Sequence, residues 1–206
     1  MRCDASLLAL VGAVAVLAVP DDAAGCGWSA LQVYYSAELQ NNIVAIAGGA
    51  SAAEAKAAGY QLVPNANGVA ANATCGGFFP GTHALSTFVH RASTKTPTSN
   101  FTDTLLVGSD AGKAWADLHH YVFVRDEGFC FATEASCVAA VNEQQQQQQQ
   151  PGFAVPCAAA TQWHSSARQD SFLALNGSQN ERNAFDSFYV PVRVECWLAA
   201  GAPRVW

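Results

Sequence analysis

Two stretches of the chain, YYSAELQNNIVAIAG at 34–48 and WHSSARQDSFLALNG at 163–177, pass through the same order of aromatic, polar and apolar classes without a gap. At that offset Tyr34 meets Trp163, Ser36 meets Ser165, Asn41 meets Asp170, Ile43 meets Phe172 and Val44 meets Leu173. The match continues through Tyr60 with Tyr189, Val63 with Val192 and Ala70 with Ala199. A third copy lies between them. There Leu85 stands for Leu31, Phe88 for Tyr34, Asp103 for Asn41, Leu105 and Leu106 for Ile43 and Val44, and Tyr121 for Tyr60. This copy carries a Ser/Thr-rich insertion at 93–100. A unit written three times limits the fold strongly, because a short repeat cannot bury its apolar face alone and must pack on its copies.

Each copy has the same internal order. An aromatic-bearing strand such as LQVYYS leads into a polar turn ending in Asn or Asp. A short apolar strand follows (NIVAI, TLLVG or SFLAL), and then a small-residue segment suited to one or two helical turns. In the first copy Ser51 and Glu54 have capping-box spacing, and Gly59 is placed as a C-terminal stop. Ser178 and Glu181 repeat that spacing in the third copy. A closing strand begins at the repeated tyrosine, as in YVFVRDEGFCFA and YVPVRVECWLA, where alternating apolar residues favour a half-buried strand. The expectation is a mainly β fold with one short helix per repeat, arranged as a pseudo-threefold, β-trefoil-like closed barrel, which leaves no strand edge open. A three-bladed arrangement or a short solenoid is the alternative. The copies span about 28–79, 80–140 and 151–206 of one domain at 25–206, with a poly-Gln loop at 143–150. A Gln tract buries too little apolar surface to order itself.

The units contain YYS, a Gly59–Tyr60 pair, EGFCFA at 127–132, PGTHAL at 80–85 and PGFAVP at 151–156. These residues resemble a tandem repeat of unknown function found in secreted bacterial and fungal proteins. Its consensus reads Leu-Tyr-Arg-Tyr-Tyr-Asn, then Gly-Asp-His-Phe-Tyr-Thr-Thr, an Ala/Glu-rich helix, Gly-Tyr, and a strand of the form Glu-Gly…Tyr-Val-Phe. Linkers of the form Pro-Gly-Thr-Val-Pro-Leu join its copies. The Asp-His-Phe core is present here only as Asp103-Thr-Leu, Asp170-Ser-Phe and Asn41-Asn-Ile. Family members accompany secreted hydrolases or stand alone, so the resemblance implies an accessory or binding role.

The N-terminus reads as an address. Arg2 precedes an apolar run at 7–19 that is too short to span a bilayer and fits a signal-peptide core, giving a leader at 1–24 with cleavage between 18 and 24. A lipoprotein box ending at Cys26 is the alternative. Without the leader, Cys26, Cys75, Cys130, Cys137, Cys157 and Cys196 remain. An even count in a secreted chain reads as disulfides, and six cysteines allow about 15 connectivities. The pairing expected here is Cys137 with Cys157 across the Gln tract, Cys26 with Cys196 where a closed barrel brings its ends together, and Cys75 with Cys130. No Cys-x-x-Cys pair supports a zinc site, and no cofactor is implied. Sequons at Asn72, Asn100 and Asn176 suit a secretory glycoprotein.

Charged residues are scarce, the formal net charge is −6, and no Lys/Arg run exists, which argues against a nucleic-acid partner. No nucleophile elbow, zincin helix, phosphate loop or dinucleotide fingerprint occurs, so no catalytic residue is assigned. The recurring Asp103, Asp170 and Asn41 read as turn-setting residues that bond backbone N–H groups of their own turns. The five histidines read as surface or half-buried side chains. Strand alternation separates the column Tyr34, Phe88, Trp163, expected in the core, from the column Tyr35, Val89, His164, expected to face a ligand. The binding candidates are therefore Tyr35, Glu38, Asn41, His164, Arg168 and Asp170, which unite aromatic faces with hydrogen-bonding groups on loops. The functional expectation is a secreted, non-catalytic binding module for carbohydrate, such as an extracellular glycan or cell-wall polymer. It would be monomeric and free of the membrane once the leader is removed. An extracellular structural or interaction protein is the first alternative and a secreted hydrolase the second.

Overall fold

The computed structural model describes residues 28–39, 41–63, 69–72, 79–90, 103–147, 156–168 and 170–200. The first unit holds β1 (Trp28–Ser36), β2 (Asn41–Ile46), α1 (Ala50–Ala57), β3 (Gln61–Val63) and β4 (Val69–Asn72). The second holds β5 (Thr82–His90), β6 (Thr104–Val107), α2 (Asp110–Leu118) and β7 (Tyr121–Phe131). After α3 (Glu134–Gln147) the third unit follows, with β8 (Cys157–Ser165), β9 (Asp170–Leu175), α4 (Gln179–Asp186) and β10 (Val190–Ala199). The chain is mainly β.

Every unit is built alike. Its first strand pairs antiparallel with its second, with Tyr34 opposite Ile43, Phe88 opposite Leu105 and Trp163 opposite Phe172. The helix then carries the chain across to the other edge of the first strand, where the third strand pairs antiparallel with it. Second and third strands thus run parallel with the first between them, a connection that needs a long crossover and here uses a helix. The helices end on a left-handed residue at one equivalent place: Gly59 at φ 82°, His120 at 62° and Phe188 at 62°. Gly59 is the stop expected from sequence. Of the two capping boxes, the one at Ser178 forms, with the Glu181 N–H donating to Ser178 Oγ at 3.2 Å and Glu181 Oε2 accepting from Gly177 N at 2.6 Å. The one at Ser51 does not, because α1 starts on Gly49 as N-cap and the Ser51 hydroxyl donates instead to Glu127 of the second unit.

The expected trefoil-like closed barrel does not form. The pairings make two antiparallel sheets that share β1, and among the described residues β2, β6 and β9 are each hydrogen-bonded along one side only. The crossover explains this: it returns the third strand to its own unit's first strand, so no second strand is handed to the next unit for closure. The units join instead through β4, which pairs with β1 beyond β3, and the third strands β7 and β10, with Ala71 opposite Phe129, Trp197 opposite Phe131 and Ala199 opposite Val69.

First and second strands are buried on both faces, which accounts for their near-continuous apolar runs. One face supplies Leu31, Val33, Val44, Leu85, Leu106 and Leu173 to a core shared by all three units, which Leu198 of β10 also enters. The other face packs under the unit's own helix. Tyr34, Ile43 and Ala45 meet Ala52 and Ala55 in the first unit, and Phe88, Leu105 and Val107 meet Ala116 in the second. The column Tyr34, Phe88, Trp163 is accordingly core.

Two cysteine pairs stand at disulfide distance, Cys137 with Cys157 and Cys130 with Cys196. The second replaces the expected Cys26–Cys196 and Cys75–Cys130 pairings. Convergence of β7 and β10, rather than closure of a barrel, decides the partner of Cys196. Cys26 and Cys75 lie outside the described residues. The loop expected at 143–150 is helical over its first residues instead, because α3 runs on through Gln147. Gln is a good helix former, and this helix is anchored by the Cys137 bridge and by the packing of Val141.

Candidate functional site

The second strands begin with Asn41, with Thr104 just after Asp103, and with Asp170. These starts converge where the three units meet. Asn41, Asp103 and Asp170 are all at least 97 % shielded from solvent, which makes this junction a polar centre inside the protein. Each of the three is joined to the tyrosine that opens its own unit's third strand. Asn41 Nδ2 donates to the Tyr60 hydroxyl at 3.3 Å, while the Tyr121 and Tyr189 hydroxyls donate to Asp103 and Asp170. The units are also tied to one another. Ser171 N donates to Asp103 Oδ1 at 3.1 Å, Tyr121 reaches Ser171 Oγ at 3.3 Å, and Asn42 Nδ2 donates to Asp170 Oδ2 at 3.2 Å. The recurring Asp and Asn therefore bond tyrosines and a neighbouring unit, where sequence reasoning expected their own turns.

Burial sets the electrostatics. It raises the Asp103 carboxyl well above the ordinary carboxylate range, with the charge of Asp170 as the next cause, and it raises Asp170 too. Burial also raises the Tyr121 and Tyr189 hydroxyls, and the adjacent aspartates add to the effect, so both phenols stay protonated as donors.

A second set of contacts repeats between units. Glu127 on β7 accepts from Ser51 at the start of α1, while Arg125 clamps Glu54 at 2.5 and 2.7 Å. One unit further along, Glu195 on β10 accepts from Ser109 N at 3.1 Å, Ser109 Oγ at 2.8 Å and Gly108 N at 3.3 Å, at the N-terminus of α2. Arg193 donates to the Ala111 carbonyl and lies 5.6 Å over the Trp115 ring. A buried carboxylate thus accepts hydrogen bonds at the start of each helix, from a hydroxyl at α1 and from the cap residues at α2, where it faces the positive end. Burial raises Glu195, and its hydrogen bonds from Ser109 and Gly108 and the Arg193 charge partly offset this. Sequence reasoning missed these residues, although Arg-x-Glu stands at equivalent positions of the aligned repeats, in VRDEG and VRVEC.

The expected binding residues separate into three groups. Asn41 and Asp170 belong to the closed centre. Glu38 and Arg168 are exposed on the turns leading into it, and the Arg168 guanidinium sits 5.6 Å over the Tyr189 ring. Tyr35 and His164 are half-buried and their column-mate Val89 is buried, and His164 meets Trp115 of the second unit. His164 Nδ1 lies 2.9 Å from Ser171 Oγ, and its ring meets Trp115 edge-on at 5.7 Å. Burial lowers its pKa, and nearby His119 adds to the shift. Burial also lowers His90, with His120 and His119 as further causes. Trp115, which sequence reasoning did not select, is the hinge of an aromatic group. It stacks on exposed His119 at 3.9 Å and lies 5.8 Å from Tyr121. Among the described residues no group of histidines, cysteines and carboxylates is arranged to hold a metal.

Of the sequons, Asn176 is exposed on the turn after β9, where its Oδ1 accepts from Thr161 Oγ1 at 2.7 Å. Asn72 closes β4, its side chain outside the described set, and Asn100 lies outside the described residues. Among the described residues no helix is long and apolar enough to cross a membrane. No family model, curated protein or solved structure matches this chain.

Proposed function

We propose that this protein is a secreted, non-catalytic binding module for carbohydrate. The observation that carries the reading is the Trp115–His119 stack. It is a ring pair open to solvent on its histidine side and fixed from behind by His164 and Arg193. A sugar presents an apolar ring face bordered by hydroxyls, which suits a rigid aromatic surface with hydrogen-bonding groups beside it. Exposed Arg168 and Glu38 and half-buried Tyr35 stand on the turns and strand ends that run into the same polar centre. The two disulfides suit an oxidising compartment and support the leader as a secretion signal.

Glycan-array binding of the native protein tests the reading. A bound glycan should lose roughly tenfold affinity in His119→Ala, matching the worth of one good ring contact, with the melting temperature unchanged. Absence of binding across a broad panel of plant, fungal, bacterial and animal glycans would overturn it. An extracellular interaction protein is the second reading. It is favoured by Phe188, a bulky residue held at left-handed φ with 88 % of its surface exposed, beside exposed Phe185. Loss of partner binding on Phe188→Gly, with glycan binding absent, would mark that case.

A further inference from the structure

The polar centre holds two carboxyl groups, Asp103 and Asp170, both about 98 % shielded and drawn together by Ser171, the residue after Asp170, whose N–H donates to Asp103 Oδ1. Three of their four oxygens have identified donors. Asp103 Oδ1 accepts from Ser171 N, Asp103 Oδ2 from Tyr121, and Asp170 Oδ2 from both Tyr189 and Asn42. The fourth, Asp170 Oδ1, finds no donor among the described residues. The ion pairs among the described residues use other carboxylates. The groups facing the pair are the hydroxyls of Tyr60, Tyr121, Tyr189 and Ser171 and the amides of Asn41 and Asn42. His164 lies beyond Ser171, and Arg168 lies across the Tyr189 ring. None of these brings a full positive charge against either carboxyl. Two ionised carboxylates side by side at this depth would repel, with hydrogen bonds but no cation among the described residues to offset them, whereas one proton between them supplies the missing donor.

We propose that Asp103 and Asp170 bind one proton between them, held mainly on Asp103 and donated to Asp170 Oδ1, and that this proton locks the three units together. The first unit contains the neutral counterpart of the arrangement. There the equivalent residue is Asn41, an amide, which donates to its own tyrosine and needs no proton. The lock is a pH-sensitive device. The pair is held above the ordinary carboxylate value in the folded protein and returns to that value, about 3.9, on unfolding. The folded state therefore binds the extra proton over the interval between the two values. The stabilisation is fully present below the ordinary value and is lost as pH rises through the raised one.

The test is the denaturation midpoint of the mature protein across pH, in the native sequence and in Asp103→Asn and Asp170→Asn. Each variant puts an amide donor where the shared proton would be. The native midpoint should fall with rising pH, and that dependence should be flattened in either variant, so that the variants overtake the native protein on the alkaline side. Infrared spectra of the native protein near neutral pH should contain a protonated-carboxyl C=O band that both variants lack. This reading stands even if one variant fails to fold. Parallel pH slopes together with no acid band would overturn the proposal. So would a native midpoint that rises on adding sodium or calcium ions and falls on adding chelator, which would put a cation where the proton is assigned.

Discussion

The Tyr121 hydroxyl donates to a buried carboxyl and also touches Ser171, so its removal should be felt well beyond one lost contact. Tyr121→Phe leaves Asp103 Oδ2 buried without a donor, which should cost roughly 1–3 kcal/mol in chemical denaturation. Tyr34→Phe deletes an equally buried ring's hydroxyl, but among the described residues that hydroxyl bonds Gln32, which is half-buried and in reach of water. It should cost less, and equal losses would argue against the special place of the centre. Both partners of each contact were visible in the sequence as repeating landmarks. Their connection was also there in outline, because the spacing from the Asp or Asn to its tyrosine is 19, 18 and 19 residues in the three units. Sequence alone could not show that the separation closes into a hydrogen bond. An Asp after a turn satisfies its local backbone equally well on paper, and only burial of the strand start removes that choice. Tyr35 and His164 illustrate the same limit. Alternation correctly sets them opposite the core column, but whether that second face meets water or another unit depends on how the units dock.

At the scale of elements, the third strands act as braces on the helices of the preceding unit. Glu195→Ala should expose Gly108 N, Ser109 N and the Ser109 hydroxyl to a void, whereas Glu195→Gln keeps an acceptor in place. The Ala variant should be less stable than the Gln variant by about 1.5–3 kcal/mol, the usual worth of bonds to a charged group. Amide exchange should rise first in the opening turn of α2, and uniform exchange along the whole helix would refute the brace. Gly108 is part of the same fitting, since a Cβ there would lie 2.6 Å from Cys130 Sγ. The start of α4 has a cap of its own. Ser178 and Glu181 cap α4 locally, and the positions in the first unit equivalent to Arg193 and Glu195 are Pro64 and Ala66. This explains why one capping box was legible and the other was not. Identical spacing signals a cap only where no carboxylate arrives from elsewhere. The Gln tract was misjudged for a related reason, as composition speaks to self-ordering but not to a helix already started by Glu134 and pinned by Cys137.

For the whole molecule, the strands, their order and the one helix per repeat could be read from the chain, but its closure could not. A closed barrel and the present arrangement share the same aromatic strands and the same threefold repetition. They differ in whether the third strand pairs within its own unit, and the length of the helical crossover, rather than any residue pattern, decides that. The disulfides follow the closure, and the architecture now points to a different third bridge. Cys130, Cys137, Cys157 and Cys196 are consumed in two pairs, and with Cys3 removed in the proposed leader Cys26 and Cys75 are left to each other. β1 and β4 run antiparallel with Trp28 opposite Ala71, and in sequence Cys26 stands two residues before Trp28 and Cys75 four after Ala71. An extended chain covers about 3.3–3.6 Å per residue, so these short sequence separations permit the roughly 4.4–6.8 Å Cα separation a disulfide requires. Non-reducing peptide mapping of the mature protein should therefore yield a fragment joining Cys26 to Cys75. Cys26→Ser with Cys75→Ser should lower stability by up to about 4 kcal/mol for a loop of this length. Recovery of both residues as free thiols, or of a covalent dimer through either one, would show that the first unit is held by its strand pairing alone.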